Sequence, residues 1–107
     1  MIKIYLDDKR KTPDGFIRTY SVEETIDLIK KNDGNIGVLS LDNDLGVGFQ
    51  EGREVMKWIE EQAFRDRLKP IFSIILHSGN SVAVEYMRMA RHNAFKYWEK
   101  HGYDIYE

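Results

Sequence analysis

Short apolar segments that each end in charged or polar residues constrain the fold of this chain more than any other feature. The segment "IKIYL" (2–6) precedes Asp7-Asp8, "IGVLSL" (36–41) precedes Asp42-Asn43-Asp44, and "IFSIILHS" (71–78) ends in His77-Ser78. Short runs rich in β-branched and aromatic residues predict strands. The chain therefore has three strong candidate strands, and each of them ends in side chains that could carry chemistry.

Segments with helical spacing alternate with these strands. A turn at Pro13-Asp14-Gly15 and a short strand "FIRTY" (16–20) lead to "SVEETIDLIKK", where Ser21 and Glu24 form an S-x-x-E capping box. Two further helices are predicted from apolar residues spaced for one buried stripe each, namely Val55, Met56, Ile59 and Ala63 in the second and Ala83, Met87, Ala90 and Ala94 in the third. The pattern leaves the state of the tail 101–107 open.

This alternation predicts the α/β class, with a mostly parallel sheet of about four strands covered by helices on both faces, in three layers. A length of 107 residues suits one domain, residues 1–107, with a single core. The hydrophobic fraction of 42% and the charged fraction of 32% are those of a globular protein. With no cysteine, the chain has no disulfides, thiol nucleophiles or zinc–thiolate sites.

The fold predicts that polar residues from distant parts of the chain converge. Right-handed crossovers place the carboxyl ends of all parallel strands at one edge of the sheet, and ligands bind at that edge in open α/β sheets. We therefore expect six strand-end residues to lie close together, although 70 positions separate them: Asp7, Asp8, Asp42, Asp44, His77 and Ser78.

The acidic members of this set predict a divalent-metal site. Carboxylates packed together repel one another unless a cation neutralises them, and oxygen-rich sites suit Mg²⁺ or Mn²⁺. Asp7, Asp8 and Asp42 are the expected ligands, and Asp44 is a further candidate whose direction the loop leaves open. An EF-hand is excluded, because the twelfth position counted from Asp42 is Arg53 rather than glutamate.

Other residues near these strand ends suit a phosphate. Arg10 offers a bidentate grip on phosphate oxygens, and Ser78 and Asn80 precede a helix whose N-terminus favours an anion. His77 could act as general acid or base. Together these groups indicate phosphoryl chemistry, with Asp42, His77 and Asn80 as candidate catalytic residues. As alternatives, Asp42 and Asp44 could cap a turn, and Ser78 and Asn80 could only cap the helix.

Charge and hydropathy argue against two other classes. The 16 basic residues are scattered and the formal charge is −2, so general DNA binding is not expected. No apolar stretch approaches the roughly 20 residues that span a bilayer, so membrane insertion is not expected either. A cytoplasmic location is the default expectation for such a chain.

The chain resembles response-regulator receiver domains, which have a flavodoxin-like fold. In receivers, paired acids end the first strand, an aspartate that accepts phosphate ends the third, and a serine or threonine ends the fourth. Asp7-Asp8 and Asp42 match the first two features, and His77-Ser78 lies where the hydroxyl is expected. The chain is reduced relative to a receiver, since it has no helix between its first two strands and no final strand with the receiver's lysine.

Three ordered motifs resemble the cyclic-phosphate processing receiver domain family more closely. That family's pattern is an acidic pair followed by Arg and Pro, then "SLDHDLG", then "HSxNP" and a later Met. This chain reads "LDDKRKTP", "SLDNDLG" and "HSGNS", with Met87 downstream, so that the resemblance covers nearly the whole chain. Asn43 stands in place of the family's histidine, and Ser81 in place of its proline.

The resemblance implies processing of cyclic phosphates that arise in RNA metabolism. The leading hypothesis is a metal-assisted phosphoesterase that acts on a small phosphorylated substrate, a cyclic or monoester phosphate of a nucleotide or RNA end. One alternative is a non-catalytic receiver-like module that binds a protein partner or a nucleotide. Another is a receiver that accepts phosphate. Whether Asp42 attacks covalently or only ligates metal stays open.

Overall fold

A computed structural model describes residues 1–107, in which four strands and three helices alternate after an initial strand pair. The strands are β1 (Ile2–Leu6), β2 (Ile17–Thr19), β3 (Ile36–Leu41) and β4 (Ser73–Leu76). The helices are α1 (Val22–Lys31), α2 (Arg53–Phe64) and α3 (Ser81–Lys100). Every predicted element is present, and the tail 101–107 forms neither helix nor strand.

The four strands form one sheet in the order β2-β1-β3-β4, and all neighbouring pairs are parallel. From β1 the chain moves outward to β2, then returns across β1 to β3 and continues to β4. The direction of winding therefore reverses between β1 and β3. A crevice at such a switch point is where open α/β sheets bind ligands, and Asp7 and Asp42 directly follow these two strands.

One face of the sheet carries the hydrophobic core. A single cluster of 21 buried residues joins strand residues such as Ile4, Leu39 and Ile74 to the buried sides of all three helices. The eight predicted stripe residues of α2 and α3 are all buried. Trp98 is fully buried as well, and its indole N–H donates to the Leu68 carbonyl at 2.9 Å.

The α/β class, the parallel sheet and its four strands are confirmed, but the layering differs from the prediction. The strand residues of the core cluster share one face, and the opposite face carries Tyr5, Ser40 and Ile75, the last 45% exposed. Handedness explains this arrangement. A helix that connects β1 to β2 would lie on that opposite face, but a loop makes this connection.

The helix caps follow the sequence signals. Ser21 caps α1 by accepting the Glu24 amide at 3.1 Å, and Asn80 caps α3 by accepting the Ala83 amide at 3.1 Å. In the tail, Ile105 joins the core cluster. No helix is both long enough and apolar enough to cross a membrane.

Candidate functional site

Residues that follow three different strands meet at the carboxyl edge of the sheet. One ligand atom each from Asp7, Asp42 and His77 lies within 4.8 Å of the other two. The backbone ladder fixes their positions, because the Asp42 amide donates to the Leu6 carbonyl and the His77 amide donates to the Leu41 carbonyl, each at 3.0 Å. The predicted convergence of distant strand ends is therefore present for these three residues.

Asp7 is a buried carboxylate held on both of its oxygens. Its side chain is 1% exposed, and Oδ1 accepts the backbone N–H groups of Lys9 at 2.7 Å and Arg10 at 2.9 Å. Its Oδ2 lies 2.9 Å from Nε2 of His77. Burial pushes the Asp7 pKa upward, but the two backbone donors and His77 outweigh burial and hold the pKa below its usual value. The fold therefore stabilises the ionised form of Asp7.

The His77 ring is fixed at three places. It stacks on the Tyr5 ring with centroids 4.6 Å apart and planes 2° apart. Its Nε2 faces Asp7, and its Nδ1 lies 2.7 Å from the hydroxyl of Ser40. One neutral tautomer satisfies both contacts, with Nε2–H donating to Asp7 and the Ser40 hydroxyl donating to Nδ1.

The order Ser40–His77–Asp7 has the composition of a serine-hydrolase triad but not its orientation. Ser40 is 4% exposed and does not line the cleft at the sheet edge, whereas Asp7 does. The hydrogen bonds therefore lead from Asp7 at the cleft through His77 to Ser40 in the interior. Ser40 orients the His77 ring and, because it does not reach the cleft, is not a nucleophile.

Two arginines organise the loop after β1. Arg10 donates through Nη1 to the His77 carbonyl, and its Nε lies 4.0 Å from Asp7 Oδ2. Arg18 donates from Nε to the Asp7 carbonyl at 2.9 Å and from Nη1 to the Arg10 carbonyl and the Thr12 hydroxyl. Arg18 thereby holds the backbone of the loop, while Arg10 keeps several of its five N–H donors for a ligand.

A cleft of about 590 Å³ opens at this edge of the sheet. Its lining contains five carboxylates, two cations and three apolar residues of the loop before α2, namely Leu45, Val47 and Phe49. The charged lining residues are Asp7, Asp8, Asp42, Asp44, Glu51, Lys9 and Arg10. This excess of negative charge repels a phosphate unless a cation is bound at the same place.

Two predicted phosphate ligands lie at the start of α3 and not in the lining of the cleft. The Ser78 hydroxyl accepts the Asn80 amide at 3.1 Å, and the Asn80 side-chain oxygen caps the helix. Only Gly79 between them lines the cleft. The geometry of both side chains is that of helix capping, and a role of Asn80 in catalysis stays a prediction.

Asn43, the residue that replaces the family histidine of the "SLDHDLG" pattern, does not line the cleft but contacts two carboxylates that do. It is fully buried, and its amide nitrogen donates to Asp44 at 3.2 Å and to Glu51 at 3.1 Å. Its side-chain oxygen accepts the Arg53 amide at 3.1 Å, and its carbonyl accepts the Gly52 amide at 2.8 Å. Asn43 thus ties the loop after β3 to the start of α2.

The donor set fits a divalent cation. Carboxylates alone suit Mg²⁺, and adding an imidazole shifts the preference toward Mn²⁺ or another transition metal. Asp7 and Asp42 are the carboxylates nearest to each other and to His77, and Asp8 and Asp44 line the same cleft. Because His77 Nε2 already faces Asp7, the carboxylates are the groups best placed to hold the ion.

Three residues that contribute to the site were not predicted from the sequence, namely Tyr5, Ser40 and Arg18. Each of them lies on the sheet face opposite the core, beside His77 or the loop after β1. Ser40 could have been identified from the sequence, because it is the one polar residue inside the apolar run 36–41 and shares the strand face of Asp42. No sequence pattern indicates the role of Arg18, because its partners are mainly backbone carbonyls of a loop.

A comparison with protein families identifies the chain on the basis of this same region. The model of the family described as cyclic-phosphate processing receiver domain matches residues 2–93. The chain belongs to that family. No curated protein and no solved structure matches it.

Membership of the cyclic-phosphate processing receiver family explains the shared arrangement of motifs. The matched range includes every residue of the cleft and most of α3. Asn43 also lies in this range, and it is fully buried and not part of the cleft lining.

Proposed function

We propose that residues 1–107 form a single receiver-like domain that acts as a metal-assisted phosphoesterase. Its substrate would be a cyclic or monoester phosphate of a nucleotide or RNA end. The observation that carries this proposal is the meeting of Asp7, Asp42 and His77 within 4.8 Å beside a cleft that Lys9 and Arg10 also line. The family's association with cyclic phosphates supports the choice of substrate.

In this proposal Asp7 and Asp42 hold Mg²⁺ or Mn²⁺, with Asp8 and Asp44 as further ligands. The bound ion would neutralise phosphate charge and polarise a phosphate oxygen. Arg10 binds a second phosphate oxygen through its remaining N–H donors. The two backbone donors on Asp7 Oδ1 fix the carboxylate, so little reorganisation accompanies ligand binding.

The reaction needs one proton to be removed and one to be delivered. A water oxygen bonds to phosphorus while the bond from phosphorus to the ribose oxygen breaks. To take the proton from the water at Nε2, the His77 ring must carry its own proton on Nδ1 and donate it to the Ser40 hydroxyl, the tautomer opposite to the one that donates to Asp7. His77 then returns the proton from Nε2 to the leaving oxygen. Its Nε2 faces Asp7 Oδ2, so the ring would exchange this contact for one to the substrate.

A ³¹P NMR time course with Mg²⁺ or Mn²⁺ tests the proposal. The panel contains 2′,3′-cyclic nucleotides, ADP-ribose cyclic phosphate and simple monoesters. We expect turnover of a cyclic phosphate that falls at least a hundredfold in both Asp42→Asn and His77→Ala proteins. Asp27→Asn, an exposed change on α1, serves as the matched control. An Asp42→Asn protein with full turnover and metal affinity would contradict the assignment.

One observation favours a second candidate, a non-catalytic module that binds a nucleotide or protein partner. Both ring nitrogens of His77 are engaged within the chain, and His77 does not line the cleft. A folded protein that binds cyclic nucleotides with metal but turns over none of the panel would support this candidate. A receiver that accepts phosphate predicts instead a one-phosphate mass increase with acetyl phosphate, absent in Asp42→Asn.

A further inference from the structure

We propose that Phe49, flanked by Val47, is a platform on which the base of a nucleoside phosphate stacks. This inference rests on the proposed function in one respect, because it takes the phosphate to lie near Asp7 and Asp42. It goes further by assigning a base-binding role to the end of the cleft that Val47 and Phe49 line. The substrate would then be a base-bearing phosphate, and sugar phosphates without a base would bind weakly.

The exposure of these two side chains is the first observation. Phe49 is 66% exposed and Val47 is completely exposed, yet both line the same cleft as the acidic residues. The only other apolar residue of the lining, Leu45, is buried in the core. Covering the exposed part of a large aromatic side chain is favourable because it removes apolar surface from water, so a ligand that stacks on Phe49 gains this free energy.

The loop backbone holds the platform in place. Gly46 and Gly48 have φ values of +107° and +84°, which side chains rarely allow, and the Phe49 amide donates to the Gly46 carbonyl at 3.3 Å. A Cβ placed on Gly46 would lie 3.4 Å from the Phe49 ring. The ring therefore packs beside a glycine that leaves it room.

The chemistry of the cleft selects the ligand. One end carries carboxylates for a cation together with Lys9 and Arg10, and the loop before α2 adds an exposed aromatic ring. A ligand that matches both parts has a phosphate joined to a flat ring, and a nucleoside phosphate has this form. A volume of about 590 Å³ suits such a small ligand. Two exposed apolar residues are too small a patch for a stable protein interface.

A pair of ligands that differ only in the base tests the platform. Adenosine 2′,3′-cyclic phosphate and 1-O-methylribofuranose 2,3-cyclic phosphate would be titrated with Mg²⁺ by NMR, while ³¹P spectra follow turnover. We expect the nucleotide to bind about tenfold tighter or more. Phe49→Ala should abolish this difference, and Phe49→Trp should keep it. Phe72→Ala, at another exposed phenylalanine outside the cleft, should change nothing.

The outcomes separate this inference from the proposed function. Phe49-dependent binding of the nucleotide without turnover would support the platform and contradict the esterase. Turnover of both ligands with equal KM, unchanged by Phe49→Ala, would support the esterase and overturn the platform. Failure of both ligands to bind the folded protein would overturn both.

Discussion

At the scale of single residues, Asp7 connects the ligand cleft to the interior. One of its oxygens is bound by the loop that follows β1, and the other faces a histidine from the end of β4. His77 is in turn fixed by Ser40 of β3 and by Tyr5 of β1. A change at Ser40 or Tyr5 should therefore alter the cleft, although neither residue lines it.

We expect Asp7 to contribute stability that disappears in acid. Its pKa is below 3.8 in the folded protein, so the ionised form stabilises the fold above about pH 4 and this contribution is lost as pH falls below it. Asp7→Asn should lower the free energy of unfolding by about 1 kcal/mol or more at pH 6. The difference between the two proteins should shrink toward pH 3.

Urea unfolding with a chelator present, at several pH values, measures this difference without metal. Asp27→Asn, which changes an exposed carboxylate on α1, should show no comparable trend. A constant gap between wild type and Asp7→Asn from pH 6 to pH 3 would show that the hydrogen bonds of Asp7 do not depend on its charge.

Gly52 allows the loop after β3 to reach α2, and we expect Gly52→Ala to be strongly destabilising. A Cβ at this position would lie 1.7 Å from the Asp42 carbonyl oxygen, although its φ of −58° suits any residue. The backbone must move, at a cost of about 2 kcal/mol or more. Thermal and urea unfolding measure the loss, and metal affinity should fall because Asp42 shifts.

Gly79→Ala is the matched control for this steric effect. Gly79 also lies beside the cleft, but a Cβ there meets nothing within 4 Å, and its φ is not in the left-handed region. Equal stability losses in the two variants would show that the clash at Gly52 is relieved without cost.

At the scale of elements, the connection between β1 and β2 determines the character of the site. Receivers are expected to have a helix there, whereas this chain has the loop 7–16, which carries Asp7, Asp8 and Arg10. The same segment therefore joins two parallel strands and lines the cleft. Arg18 of β2 stabilises this loop by donating hydrogen bonds to the Asp7 and Arg10 carbonyls.

The role of Asn80 can be determined with a variant that keeps the helix cap but lacks the side-chain amide. Asn80→Ala should lower the free energy of unfolding by about 1 kcal/mol, because the Ala83 amide loses its partner. Asn80→Ser should restore most of this stability, since a serine hydroxyl also caps. Thermal unfolding measures the stability, and the ³¹P assay measures turnover. Wild-type turnover in the Asn80→Ser protein would remove Asn80 from the catalytic residues.

The features that could be predicted from the sequence are those that depend on residues close together in the chain. The Ser21 cap of α1 and the buried stripes of α2 and α3 arise from residues within a few turns, and all of them are present, although the Glu24 carboxylate accepts the Tyr20 amide and not the Ser21 amide of a full capping box. The meeting of Asp7, Asp42 and His77 required only parallel strands. The partners of His77, by contrast, depend on sheet register and on a ring stack with Tyr5, which no local pattern encodes.

At the scale of the whole molecule, the helices lie on one face of the sheet because each crossover connection between parallel strands is right-handed. The alternation of strands and helices predicted cover on both faces, but the crossovers from β2 to β3 and from β3 to β4 run in the same direction. Both therefore place their helices on the same face. The opposite face keeps polar and half-exposed residues, including the partners of His77.

We expect divalent cations to stabilise the whole fold. Five carboxylates line one cleft, so an ion that binds only the folded protein relieves their repulsion. At a concentration a hundred times Kd, binding adds about 2.7 kcal/mol. Thermal unfolding with Mg²⁺, with Mn²⁺ and with chelator measures the shift, which should vanish in Asp42→Asn. An equal shift in that variant would place the ion elsewhere.

The two backbone N–H groups that bind Asp7 have a spectroscopic consequence. Protons donated to a carboxylate resonate far downfield, and they exchange with solvent only when the donor segment opens. The amides of Lys9 and Arg10 are therefore built-in reporters within the cleft wall. Their resonances register the state of the carboxylate, and their exchange rates register opening of the loop, in a single sample and without any label on the ligand.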